Sequence, residues 1–425
     1  MIAWLLISFF VLLFLGVPIA MSLGLSAMGG ILFLGGGSTV TIAQRMFEGM
    51  NSFALLAIPL YTFAGFTMSK GGISKRLMDF CYSIVGHIYG GLAHVNVLSS
   101  MIFAGISGSA VADTAGVSGM FMPEMVRKGY SKNFTVAVTA ISSTIGIIIP
   151  PSIPMAVIAG ICGISTGKLF LGGIIPGVLC GLAQMIVSYF MAKKEGVPKE
   201  PGHFTIGPVL HGLWESWPAL LMPIIIVGTI TMGIVSPTEA GVIAVVYGLF
   251  AGGIIYRELK WEDIKFAFAE TVRTSGRIFI VIGAAKLYTV MLTTAGFDKW
   301  VAKTMLGFST NPTVILIVIL LIFFIVTMFM ESIATLTLFM PILYPIALGV
   351  GINPIVLSVL ITVVIGVGLV TPPVGMCIYV ACDLMDVTVG EVFPTLVPFI
   401  AATFVCIALM VAFPQLILLP TYLMA

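Results

Sequence analysis

The stretch from Ile315 to Phe329 is apolar on every side of a helix, and stretches like it recur along the whole chain. Only 8% of the 425 residues are charged, against 59% hydrophobic. A soluble domain covers itself with roughly 25% charged residues, so most of this chain's surface must face lipid. A spanning helix takes about 20 apolar residues, and the apolar stretches supply roughly ten such crossings, several of them broken. Backbone amides in lipid must be satisfied internally, which leaves helices or closed barrels. Barrel strands alternate apolar and polar residues, so segments apolar all round select helices. An all-α polytopic membrane protein is expected. Met1 to Leu15 lacks a basic leader and runs through Gly16-Val17-Pro18 into more apolar sequence, so it reads as the first membrane helix. A net charge of +2 gives no footing for nucleic acid. The cysteines, Cys81, Cys162, Cys180, Cys377, Cys382 and Cys406, lie in apolar sequence without CxxC spacing and read as buried thiols.

The chain divides into residues 1–192 and 218–425, joined by a polar connector at 193–217 that carries Lys193, Lys194, Lys199, His203 and His211. The halves match at a shift of about 220 residues, the kind of internal repeat found in secondary transporters. Phe121-Met122-Pro123 recurs as Phe339-Met340-Pro341, Pro150-Pro151 as Pro372-Pro373, and Pro176 as Pro398. Gly16-Val17-Pro18 pairs with Val235-Ser236-Pro237. Positive loops prefer the cytoplasm. Placing Lys70, Lys75, Arg76, Arg127, Lys128, Lys132, Lys193, Lys194, Lys199, Arg257, Lys260, Lys265, Arg273 and Arg277 inside works only if equivalent loops of the halves lie on opposite sides. Inverted-topology repeats are therefore expected. Trp261 to Arg277 alternates apolar and charged residues at helical spacing, which predicts an interfacial arm helix over about 259–277.

Two irregular segments recur in each half. The stretch at about 95–125 is too short for two full crossings, which need about 40 residues, and carries the small, hydroxylated run Phe103 to Gly116 at its centre. It reads as a re-entrant hairpin, as does 312–349, broken at Glu331-Ser332. Non-helical backbone at that depth must be buried in protein or line a wet cavity. The second segment is Gly-x-x-x-Pro-Pro, at Gly146 and at Gly368, which predicts helices broken within about 135–160 and 355–380. A break frees carbonyl oxygens at one half-helix end, which suit Na⁺, and amides at the other, which suit a carboxylate.

Two pseudo-symmetric Na⁺ sites follow. The first takes Ser107, Ser109 and backbone around Gly146, Ile149 and Pro151. The second takes Ser332, Thr335 and backbone around Gly366, Gly368 and Thr371. Asp113, Thr114, Thr144, Ser152, Glu331, Pro372 and Pro373 are assigned to a polar substrate cleft between them. Asp113 and Glu331 fall at one repeat position, inside the two hairpin tips, where each tunes a cation site or caps a half-helix; charges within the membrane are functional candidates by default. Glu239 in Ser236-Pro237-Thr238-Glu239 reads as a capping box. Lys286, Asp383 and Asp386 read as pairing or interface charges. His87 and His94 have no ligand-spaced partner, and no metal other than Na⁺ is expected.

Leu56-Ala57-Ile58-Pro59-Leu60, Phe103 to Ser109, Gly129-Tyr130, Ile149-Pro150-Pro151-Ser152 and Ser236 to Ala240 resemble stretches of the large membrane (M) subunit of the TRAP transporters, in the same order over nearly the whole chain. The resemblance implies an elevator-type carrier of the ion transporter superfamily, driven by two or more Na⁺ ions, in a bacterial inner membrane. It implies two protein partners: a small four-helix membrane subunit (Q), here a separate chain, and a periplasmic binding protein (P). Organic acids such as C4-dicarboxylates, keto acids and sialic acids are the implied solutes, sialic acid first. The alternative is a stand-alone Na⁺/dicarboxylate or citrate carrier of the same superfamily. An intramembrane enzyme would need an HExxH helix, a Ser/His pair or paired aspartates; no HExxH occurs, and Asp383 and Asp386 have no supporting pocket in the sequence pattern. A channel would need a continuous pore, whereas inverted repeats with broken helices favour alternating access.

Overall fold

A computed structural model describes residues 1–34, 39–197 and 205–424. Lys199 and His203 of the connector lie outside the described residues. Among those described, the structure is helical throughout. The first half holds α1 (Ile2–Phe14), α2 (Ile19–Leu34), α3 (Val40–Met50), α4 (Ala57–Lys70), α5 (Ile73–Val85), α6 (Gly91–Ser107), α7 (Ala110–Arg127), α8 (Lys132–Ser143), α9 (Ile153–Cys162) and α10 (Thr166–Lys194). The second holds α11 (Ile206–Thr231), α12 (Pro237–Phe250), α13 (Trp261–Thr294), α14 (Phe297–Phe308), α15 (Pro312–Thr327), α16 (Ser332–Gly349), α17 (Pro354–Gly368), α18 (Met376–Met385), α19 (Val389–Ala412) and the short α20 (Gln415–Leu418). Among the described residues, seven helices are long and apolar enough to cross a membrane.

Both hairpins and both broken helices are present. α6 and α7 turn at Gly108-Ser109, and α15 and α16 turn at residues 328–331. α8 passes through a 3₁₀ turn at Thr144–Ile147 before α9, and α17 stops before the second Pro-Pro and restarts as α18. The Pro150-Pro151 and Pro372-Pro373 bonds are both cis. α10 orients the hairpins. Its beginning packs on the start of α17, just after the second hairpin, where a Cβ on Gly172 would lie 3.2 Å from Ile355. Its end meets the open end of the first hairpin, where Ser131 bonds Glu195 at 3.0 Å. Those two contacts lie 23 residues apart along the chain, about 35 Å at 1.5 Å per residue, so the open ends of the two hairpins lie toward opposite ends of α10.

The pseudo-twofold axis passes between the broken helices. Thr144 and Gly366 hold equivalent repeat positions and lie against each other, with 3.3 Å between the Thr144 Cβ and a Cβ built on Gly366. Around this bundle α4 packs on α12, α5 on α11, and α13 on α2, α3 and α4. This outer layer touches the first hairpin where Gly65 of α4 meets Ser107, and a Cβ there would lie 3.2 Å from the Ser107 Cα. It touches the second where α13 packs on α16, and Ala334, Leu338 and Ile342 of α16 share one buried apolar cluster with Tyr288, Leu5 and Phe9.

The arm expected over 259–277 is not a separate helix. It is the first half of one unbroken 34-residue helix, α13, and no proline falls within that helix to break it. Lys286 falls in its second half, packed on α3, where a Cβ on Gly49 would lie 2.6 Å from the Lys286 Cβ.

Candidate functional site

The first hairpin tip is held by backbone. Gly108 takes φ +65°, and a Cβ there would lie 2.6 Å from the Pro151 carbonyl oxygen, so glycine meets both the turn and the close approach. The Ser109 hydroxyl caps α7, accepting from the Ala112 amide at 3.4 Å. The Ile153 amide donates to the Gly108 carbonyl at 3.2 Å, joining the tip to the start of α9. The second half repeats this join, with the Val374 amide donating to the Met328 carbonyl at 2.9 Å. Each hairpin tip thus offers its carbonyl to the segment just past the Pro-Pro break.

Asp113 stands one turn into α7 and is fully buried. The Ser107 hydroxyl donates to its Oδ1, and the Ser109 amide donates to Ser107 Oγ at 3.3 Å. Asp113 Oδ2 has no hydrogen-bond partner among the described residues and lies against Gly146, where a Cβ would approach it to 2.0 Å. The structure therefore brings Ser107, Ser109 and Gly146 together, with Asp113 among them rather than in a separate cleft. Pro151 joins through its carbonyl beside Gly108, whereas the Ile149 side chain turns away onto Gly177 of α10. A buried carboxylate with an unpaired oxygen is strongly disfavoured without a compensating charge or donor, and a cation with hydroxyl and carbonyl ligands fits that need.

The second tip is built differently. Glu331 is the N-cap of α16: its Oε2 accepts from the Ile333 and Ala334 amides at 3.1 and 3.2 Å, and its Oε1 from the Ser332 hydroxyl at 3.2 Å. Asp113 and Glu331 are therefore not equivalent, as the sequence alignment had them. Matching the helix starts, a shift of 222 residues instead of 218, pairs Glu331 with Ser109 and Asp113 with Thr335. Thr335 donates to the Glu331 carbonyl at 3.1 Å, and Thr371 to the Val367 carbonyl at 2.7 Å. Such back-bonding uses the hydroxyl proton and leaves oxygen lone pairs. Gly368 faces Thr327, whose Cβ would lie 2.7 Å from a Cβ at that glycine. Thr327 is buried and holds the place of Ser107 at the end of the first hairpin helix; its match to Ser107 across the repeat was the missed signal. Gly366 faces Thr144 across the axis, not the second hairpin.

The residues assigned to a cleft separate. Thr114 and Thr144 are buried and donate to the Ala110 and Ile141 carbonyls at 2.9 and 2.7 Å. Ser152 is buried and spans the first break, donating to the Ile147 carbonyl at 2.6 Å and accepting from the Met155 amide at 3.2 Å. Thr144 and Ser152 thus bond to backbone beside the break and Thr114 to its own helix α7, and none of the three lines an open wall. Glu331 and Pro372 are half-buried and Pro373 is exposed, while Pro150 and Pro151 are buried. The second break is open where the first is closed.

Residues 6–416 match the family described as Tripartite ATP-independent periplasmic transporter, DctM component. The chain is 35% identical to the sialic acid TRAP transporter large permease SiaM of Vibrio cholerae, over 96% of this chain and 95% of that one. It is 36% identical to the isethionate TRAP transporter permease DctMQ of Oleidesulfovibrio alaskensis, over 92% of its own length but 62% of that longer protein. In fold it is similar to the YdaH transporter of Alcanivorax borkumensis, with a TM-score of 0.58, 12% identity, and 89% and 88% of the two chains covered. With a family match over nearly its whole length, this multi-pass membrane chain belongs to the DctM family of TRAP transporter large permeases, and is a transport protein, not an enzyme.

Proposed function

We propose that this permease imports an organic acid across a bacterial inner membrane, coupled to two or more Na⁺ ions, by an elevator movement of the hairpin bundle against the outer helices. The observation that carries Na⁺ coupling is Asp113, fully buried, bonded by Ser107 and with its second oxygen unpartnered against Gly146. The second site uses Thr327, Thr335, Thr371 and the Gly368 backbone, with the Glu331 charge engaged by the α16 amides. A periplasmic binding protein delivers the solute and a small membrane subunit completes the permease, as the TRAP name of the family supports. Sialic acid is the first candidate solute, on the strength of the SiaM relative; isethionate and C4-dicarboxylates follow. The exposed second break presents half-helix ends to the acid.

The test is uptake into proteoliposomes carrying the chain and its small subunit, with and without the binding protein, under an inward Na⁺ gradient. Uptake that needs both Na⁺ and the binding protein is the expected result. Na⁺-driven uptake without the binding protein would establish a stand-alone carrier instead. Uptake indifferent to Na⁺ for every solute would refute the ion sites.

A further inference from the structure

The short helix α18 touches both candidate cation sites. Just before its start, Gly375 takes φ +44°, and a Cβ built there would lie 3.1 Å from the Thr371 carbonyl oxygen of the second site. The Val374 amide donates to the Met328 carbonyl of the second hairpin tip at 2.9 Å, and the Cys377 amide closes the second break by donating to the Leu369 carbonyl at 2.9 Å. Along its length α18 packs on α7 and α8 of the first repeat. There the fully buried Cys377 thiol stands beside the Thr114 hydroxyl and near the Asp113 carboxylate of the first site. Thr114 gives its proton to the Ala110 carbonyl, which leaves its oxygen to accept from the thiol. At the other end of α18, Lys132 donates to the Met385 carbonyl at 3.1 Å, so the helix is tied to the first repeat at two points. The same position in the first repeat is apolar. A shift of 222 residues puts Met155 in the place of Cys377, and its side chain turns to α10, where a Cβ on Gly173 would lie 2.9 Å from the Met155 methyl.

We propose that Cys377 is a positioning residue that couples the two cation sites, so that an ion held at Asp113 favours the geometry in which Thr371 and the second tip bind theirs. This coupling presupposes the two Na⁺ sites proposed above and adds the route between them. An ion at Asp113 fixes the first turn of α7, which carries Thr114. Thr114 holds the Cys377 thiol, and the Cys377 amide holds Leu369, two residues before Thr371. Two sites that bias one element toward a single arrangement share free energy, and the effect is reciprocal. The thiol supplies a directional contact at a point where apolar packing alone would let α18 slide on α7.

The test is equilibrium binding of radiolabelled Na⁺ to the full chain purified with its small membrane subunit. The wild-type isotherm should be sigmoidal, with a Hill coefficient above one. Cys377→Ala should bind the same number of ions with a Hill coefficient near one, and half-saturation should rise about fivefold or more. Cys377→Ser keeps a donor toward Thr114 and should restore the wild-type curve, which a role in packing alone would not require. Thr114→Val removes the acceptor and should match the alanine variant, giving a second reading should Cys377→Ala fail to fold. A sigmoidal curve kept by Cys377→Ala or by Thr114→Val overturns the coupling, as does a hyperbolic wild-type isotherm. A wild-type chain that binds no Na⁺ overturns the ion sites themselves, an outcome read without any variant.

Discussion

Asp113 is where a single side chain decides most. A unit charge pair about 4 Å apart is worth about 4 kcal/mol at an effective dielectric near 20. Asp113→Asn keeps the shape and the Ser107 bond but removes the charge. Apparent Na⁺ affinity in the uptake assay should fall at least about tenfold, with solute delivery by the binding protein unchanged. Gly146→Ala probes the same oxygen sterically. Its Cβ would lie 2.0 Å from Asp113 Oδ2, and neither group has room to move, since Asp113 is fully buried. That variant should insert in the membrane and lose Na⁺-driven uptake. Retained uptake with normal Na⁺ dependence would show that Asp113 Oδ2 does not face an ion. The charge of Asp113 was plain in the sequence, as was its nearness to a hairpin tip. Its partners were not, because Ser107 and Gly146 reach it through the turn of one element and the crossing of another.

The two hairpins are bound to their broken helices by different means. Across α6 and α8, Asn96 donates to Thr139 at 2.7 Å, Ser142 to Asn96 at 3.2 Å, and Ser100 to Ser142 at 3.0 Å. No such side-chain link joins α15 or α16 to α17 among the described residues: Thr327, Ser358 and Thr362 each bond to their own helix. Hydrogen bonds between membrane helices are worth about 0.6 kcal/mol on average and up to about 1–2 kcal/mol. Asn96 makes two of them, so Asn96→Ala should lower stability in detergent by about 1–2 kcal/mol. Thr362→Val should leave it nearly unchanged. A thermal-shift comparison of the two variants reads the difference, and equal melting would mean that the first hairpin is held by apolar packing alone.

At the scale of the molecule, Arg76 ties the outer layer together. It bonds Glu258 at 2.6 Å and the Gly72 carbonyl at 2.8 Å, stacks 4.3 Å from the Tyr256 ring centre, and accepts at its own carbonyl from Ser216 at 2.9 Å. Glu258 is nearly half exposed, so the ion pair alone contributes little. Arg76→Ala should still cost about 1 kcal/mol through the lost ring stacking and the carbonyl bond from its guanidinium. Arg76→Lys should recover only part of it, as measured by denaturation in detergent micelles. The sequence by itself determined that the chain spans a membrane, because 8% charge cannot cover a soluble surface. It also determined where helices break, because Pro-Pro removes amides wherever it stands, and that the halves repeat. It misjudged the arm helix, where a periodic charge pattern suggested an end that only proline or a cap would have made. Tertiary structure alone decided which polar groups meet. The helix ends, not the spacing of like residues, put Glu331 in the capping position of Ser109 and Thr327 in the place of Ser107. The crossing at the pseudo-axis set Gly366 against Thr144. Such pairings depend on how helices cross in space, which the periodicity of either helix does not encode.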